Sequence, residues 1–151
     1  MVTGMERFVN YVTMELPAKP ENVAFARTAA AMFASQLAFT LDELDEVKVA
    51  VSEAVSNVVV HAYPDGDGVV RLELGLGADG SFVLRVIDYG VGIADVNQAR
   101  QAQWTSRPGE RMGLGFTFMQ EYMDKLEVAS QPDAGTMVTM TKTPARAAVA
   151  P

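Results

Sequence analysis

The sequence predicts an α+β fold: a two-layer α/β sandwich whose mixed, mostly antiparallel sheet carries its helices on one face. Three observations lead there. The elements run strand, two helices, two strands, a glycine-rich loop, one helix and two strands, which is not the alternation a parallel sheet requires. The later strands come as hairpin pairs. One long segment, residues 40–62, places its apolar residues at helical spacing on a single arc.

Taken in order, "FVNYVTMEL" (8–16) alternates, with Val12, Met14 and Leu16 on one side and Tyr11, Thr13 and Glu15 on a wet side. "ENVAFARTAAAMFASQLAF" (21–39) is Ala-rich, with Phe25, Met32, Phe33 and Leu37 near helical spacing, and predicts the first helix. Thr40 with Glu43 forms a capping box that opens a second helix over about 41–62, before the turn cluster "PDGDG" (64–68). "VVRLELGL" (69–76) and "SFVLRVID" (81–88) read as a hairpin, followed by the loop "DYGVGI" (88–93). Residues 94–112 are polar and irregular, with one helical turn near 95–101. A third helix is expected at 115–126, and a second hairpin pairs 126–130 with 136–142. Residues 1–143 are read as one domain and 144–151 as a flexible tail.

Composition narrows the class. The chain has 151 residues, enough for one self-sufficient core, and its 49% apolar and 21% charged content is that of a soluble globular domain. It has no cysteine, which removes disulfides and thiolate metal sites and fits a cytoplasmic setting. No apolar run is long enough for a membrane span. A formal charge of −7 disfavours general nucleic-acid binding and suits a basic protein partner or a metal-bound substrate.

The second helix carries the unusual residues. Leu44, Val47, Val51, Ala54, Val55, Val58 and Ala62 form its apolar arc. Glu53 and Asn57 lie roughly opposite, with His61 at the edge, and Glu53 is the only charge between Val49 and Val60. Flanked by Val49, Ala50 and Val60, the pair is expected to face a partly enclosed space. A carboxylate and an amide oxygen one turn apart suit a hard cation, and the carboxylate alone suits a proton acceptor. A plain solvated helix face has the same spacing. His61 reads as a packed or capping residue rather than a ligand.

Two glycine loops add to this. "DYGVGI" sets Asp88 at a strand end beside Gly90 and Gly92, a pattern that a simple turn shares. "RMGLGF" puts Arg111, Gly113 and Gly115 just before the expected third helix, where free amides and a basic residue make an anion site. Together they supply an acceptor for a base's amino group, amides and a cation for phosphates, a metal-ligating amide and a carboxylate. That set is what an ATP–magnesium site requires. The Walker sequence and the Gly-rich loop and H-R-D of protein kinases are absent.

The succession E-x-x-x-N on a helix, D-x-G-x-G, then G-x-G resembles the N, G1 and G2 boxes of the GHKL (Bergerat-fold) ATPases, over residues 8–142. Within them, "VSEAVSNVVVHAY", "ARQAQWTSRPGERMGLGFTFMQEYMD" and "GTMVTMTK" are most similar to the sporulation anti-sigma F factors, serine kinases of Bacillus-type bacteria. The resemblance implies that Glu53 is the general base and that Asn57 ligates Mg²⁺. It makes Asp88 the receptor of the adenine amino group, with Gly90, Gly92 and Thr136 around the base. It gives Thr105, Arg111, Gly113, Leu114 and Gly115 to the phosphates, under a lid spanning 95–112. Arg27 matches a residue that contacts both the sigma factor and its antagonist, although an exposed solubilising charge looks the same. The implied cofactors are ATP and Mg²⁺. The implied partners are a sigma factor, an anti-anti-sigma protein phosphorylated on serine, and a second copy of the chain. Arg107 and Met112 depart from the usual lid, where relatives often carry a lysine and a small polar residue.

Three other readings share many of these residues. A sensor histidine kinase domain has the same boxes but normally follows a domain bearing a phosphoacceptor histidine, and the one histidine here is His61, on the nucleotide helix. A general-stress anti-sigma kinase shares "HAY" and "AVSEA". A non-catalytic sigma-binding module would have no need of Glu53.

Overall fold

Thr40 opens the longest helix as expected. Its hydroxyl accepts from the Glu43 N–H at 3.1 Å, and the Glu43 carboxylate accepts from the Thr40 N–H at 2.9 Å. The computed structural model describes residues 7–100 and 108–145. Its elements are β1 (Asn10–Pro17), α1 (Glu21–Ala34), α2 (Leu41–Asn57), β2 (Val69–Leu76), β3 (Phe82–Asp88), α3 (Val96–Ala99), α4 (Pro108–Tyr122), β4 (Lys125–Ser130) and β5 (Thr136–Lys142).

The strands form one sheet in the order β1-β2-β3-β5-β4. Every pairing among the described strands is antiparallel, so the sheet is not mixed. Register puts Val70, Leu72 and Leu74 of β2 beside Asp88, Val86 and Leu84 of β3. These residues share a face with Val138 and Met140 and bury against Ala26, Ala30 and Ala34 of α1, Val47, Val51 and Val55 of α2, and Phe116 and Met119 of α4. Each strand thus gives alternate side chains to one core beneath the helices.

The opposite face holds an ion cluster. Glu73 is only 3% exposed and receives Arg71 Nε at 3.1 Å and Arg85 at 3.2 Å, while Glu15 approaches Arg71 at 3.6 Å. Among the described residues no helix is long and apolar enough to cross a membrane.

Three boundaries differ from the sequence reading. α1 ends at Ala34 rather than residue 39, because Ser35 Oγ and Gln36 Nε2 donate to the Met32 and Phe33 carbonyls and turn the chain. The helix expected over 41–62 has that length, but its last turn, Val58–Ala62, widens to π geometry. α4 begins at Pro108, not residue 115, with proline at the first helical position where its missing N–H costs nothing. Beyond β5, the Ala145 N–H reaches Glu43 Oε2 at 3.0 Å, so the start of the segment expected to be a loose tail is fastened to the capping box.

Candidate active site

Glu53 and Asn57 stand on α2 one turn apart and partly buried, while the arc of Val47, Val51, Ala54, Val55, Val58 and Ala62 is buried in the core. The flanking valines do not provide the enclosure expected of them: Val60 is 63% exposed and Val49 38%. The cover comes from α4 instead. A Cβ built on Gly115 would lie 2.9 Å from Glu53 Oε2 and 3.7 Å from Asn57 Nδ2, so a side chain at 115 would push the flexible end of Glu53 out of its present position. Burial raises the Glu53 carboxyl above the ordinary carboxylate value. Asn57 Nδ2 is buried without a hydrogen-bond partner.

Asp88 closes β3 at 6% exposure. Its Oδ1 accepts from the Gly90 N–H at 2.9 Å, and burial raises its pKa while the Gly90 and Thr136 amides oppose that shift. The loop that follows is held on both sides. The Val91 N–H donates to the Ala62 carbonyl at 2.9 Å, and the Ile93 N–H to Ser130 Oγ at 2.7 Å. Gly90 and Gly92 pass so close to the Ala62 and Gln131 carbonyls that a Cβ on either would collide, and Gly92 also has φ +75°. This loop is therefore more than a generic turn.

α2, this loop and α4 converge on a narrow cleft of about 30 Å³. Ala54, Val58, Val86, Ile93 and Val138 give it apolar walls, and Asn57, His61, Asp88 and Thr136 give it polar points. Burial lowers the His61 pKa, which keeps the imidazole neutral at pH 7. Met112 and Phe116 of α4 also line the cleft. The chemistry of the walls suits a flat aromatic base with one amino group. The space does not yet admit it, since a nucleotide-sized ligand occupies about 300 Å³ or more.

The structure thus gathers Asn57, Asp88, Gly92 and Thr136 around one cleft, with Gly90 in the adjoining loop and with Glu53 and Gly115 against each other beside Asn57. Gly113 and Gly115 are not at a helix N-terminus, because α4 starts five residues before Gly113. The Gly113 carbonyl accepts from Thr117 Oγ1 at 3.0 Å within the helix, and Leu114 points outward at 43% exposure. An anion cradle built from these amides requires the first turns of α4 to unwind. Arg111 lies on the backbone of those turns, and Thr105 is outside the described residues. Arg27 is exposed on α1, remote in sequence from these elements.

A divalent ion could take the Asn57 amide oxygen, if the buried amide turned its oxygen inward. Among the described residues no three acidic or imidazole groups converge to cage a metal. Such a donor set fits Mg²⁺, which keeps water and phosphate oxygens around one or two protein ligands, and not a protein-caged ion.

The family pattern for the histidine kinase-like ATPase domain matches residues 16–142. An anti-sigma F factor of Clostridium beijerinckii is 46% identical over 135 residues, spanning 88% of this chain and 94% of that one. One from Pasteuria penetrans is 48% identical over 136 residues, spanning 88% and 90%. The chain belongs to the anti-sigma F factor family of histidine kinase-like ATPases. Membership of that ATPase family implies that the chain binds ATP.

Solved structures share the fold at lower identity. The RsbU and RsbW domains of a Mycobacterium tuberculosis protein superpose with TM-score 0.62 at 19% identity, covering 89% of this chain and 32% of that longer one. The mycobacterial sensor histidine kinase MprB gives 0.55 at 20% identity, covering 88% and 99%.

Sequence reasoning undervalued three residues. His61 lines the cleft, as the E-x-x-x-N spacing extended by four more residues signals. Ser130 bonds both the Asp88 loop and Thr136 Oγ1, the latter at 2.7 Å, but no local motif marks it. Phe116 reaches the cleft because α4 starts early, which the glycines hid.

Proposed function

We propose that this anti-sigma F family chain binds and restrains a sigma factor and, with Mg-ATP, phosphorylates a serine on the sigma factor's anti-anti-sigma antagonist, inactivating it. One observation carries the catalytic half: Glu53 is a partly buried carboxylate with a raised pKa, one turn before the cleft-lining Asn57 and against Gly115 of α4. A carboxylate whose basicity is raised by burial is a better acceptor for a serine hydroxyl proton than an ordinary surface one.

Bound Mg-ATP supplies the phosphoryl group and much of the charge neutralisation. Around it, Asp88 accepts from the base's amino group through the oxygen not engaged by Gly90. Asn57 would hold the metal and Arg111 would offer its cation to the phosphates, with the neutral His61 lining the same cleft. Glu53 takes the serine proton as the hydroxyl oxygen bonds to phosphorus and the bond to the ADP oxygen breaks. Positioning and electrostatics suffice for such transfer, so one base and one metal are enough. Arg27 on α1 contacts sigma factor and antagonist in turn, and the chain pairs with a second copy of itself.

The test is transfer of labelled phosphate from ATP to the purified antagonist. Wild-type chain should label a serine. Glu53→Ala should still bind nucleotide and sigma factor while transfer falls by about 10²–10⁴-fold, the worth of a positioned base. Transfer at the wild-type rate in that variant overturns the assignment.

A further inference from the structure

Tyr63 follows directly on the widened turn Val58–Ala62, and the mechanism above gives it no part. Its hydroxyl is nonetheless satisfied on both sides. It donates to the Val69 carbonyl at 2.5 Å and accepts from the Tyr89 N–H at 2.9 Å. The ring lies against Gly68, where any Cβ would strike it. One side chain therefore joins the end of the α2 segment, the first residue of β2, and the residue after Asp88.

The consequence for Asp88 follows along the backbone. Tyr89 N–H is held by Tyr63, Gly90 N–H by Asp88 Oδ1, and Val91 N–H by the Ala62 carbonyl. The loop is thus hung at residues 89 and 91 from two consecutive residues, Tyr63 and Ala62, and the amide that orients the Asp88 carboxylate lies between those points. Any drift at residue 89 rotates the carboxylate that faces the cleft. In a helix of ordinary pitch Ala62 and Tyr63 would be turned differently, which gives the π geometry a purpose.

We infer that Tyr63 is a positioning residue for base recognition, its hydroxyl aiming Asp88 at the amino group that distinguishes adenine from purines lacking it. This rests on the reading of Asp88 as the base acceptor. The hydroxyl touches neither base nor phosphate. Its effect should therefore fall on discrimination between bases and leave phosphate and metal affinity alone.

The test compares titrations of ATP and of inosine triphosphate, which has a carbonyl in place of the exocyclic amine, on wild type, Tyr63→Phe and Asp88→Asn, with nucleotide-free melting as a control for folding. Tyr63→Phe should bind ATP about tenfold more weakly, the scale of one misdirected hydrogen bond, while inosine triphosphate affinity changes less than about twofold. An unchanged ratio between the two nucleotides overturns the inference, whatever the melting temperature does. Asp88→Asn separates the two levels: if it also keeps the ratio, the base-acceptor reading fails, and if it alone loses the ratio, only the role of Tyr63 fails. Amide exchange in the unmutated protein gives a check that needs no variant, since the Tyr89 N–H should exchange as slowly as that of Val91. A fast-exchanging Tyr89 amide beside a protected Val91 overturns the inference.

Discussion

Gly115 of α4 lies directly over Glu53 of α2, with room for no more than a hydrogen between the glycine Cα and the carboxylate: a Cβ there would be 2.9 Å from Oε2. The residue that removes the serine proton in the proposed mechanism is therefore positioned by an absent side chain on a neighbouring helix.

Gly115→Ala sets two effects against each other. Alanine gains about 0.5–1 kcal/mol of helix propensity over glycine, and displacing the flexible end of Glu53 costs a similar amount. The melting temperature should stay within about 2 °C of wild type. Phosphate transfer should fall about tenfold or more, because Glu53 has moved off its line. Calorimetry and labelled-ATP transfer on the same preparation check both halves.

Glu53→Gln should alter the pH dependence of stability. Burial raises the Glu53 pKa, so the folded chain holds this proton more tightly than the unfolded chain does. The ionised side chain is then a liability that grows as pH rises through the folded-state pKa. The glutamine variant should melt higher than wild type at pH 7. The gap should close as pH falls below the ordinary value of 4.5, where Glu53 is protonated in both states. Melting curves from pH 4 to pH 8 measure it, and a constant gap contradicts it.

Met112→Ala should separate stability from access. Met112 is 9% exposed and lines the cleft with Phe116. Its truncation should cost about 2 kcal/mol without nucleotide, the low end for a buried methionine. Nucleotide should associate faster, since less of α4 has to be displaced. Denaturant titration and stopped-flow binding of a fluorescent ATP analogue give the two readings.

Asn57→Ala should leave the nucleotide-free protein almost as stable as wild type, because Asn57 Nδ2 has no partner to lose. The increase in ATP affinity that Mg²⁺ gives should vanish. Calorimetric titrations with and without the metal decide it, and a preserved magnesium effect removes Asn57 from the metal.

Arg27→Glu should weaken sigma-factor capture at least tenfold while ATP binding is unchanged. Arg27 is exposed and has no ion-pair partner among the described residues, so its reversal disturbs no internal contact. An unaltered sigma-factor pull-down argues against the interface.

The parts of the fold that were legible in the sequence are those governed by local rules. Thr40 and Glu43 announce the start of α2, alternation marks β1 and β2, and helical spacing separates the buried arc from Glu53 and Asn57. What stayed hidden depends on partners distant in the chain. Gly113 and Gly115 look like helix breakers, yet Gly115 sits inside α4 because α2 passes against it. Helix propensity was overruled there by tertiary packing. The widened turn before Tyr63 has no composition of its own, and it shows itself only through the Tyr89 and Val91 amides that reach back to it. Glu73 reads as an ordinary wet-face residue, and only Arg71 and Arg85 together explain its burial.

That buried carboxylate also bears on how the chain finds its alignment. Were β2 to slide by a single residue against β3, Glu73 would swing, together with Arg71 of the same strand, into the layer now held by Leu72 and Leu74, leaving Arg85 behind. Burying an acid and a guanidinium among leucines costs more desolvation than their attraction returns. The ion cluster on the helix-free side thus disfavours the shifted register and favours the one that sets Asp88 of β3 opposite Val70.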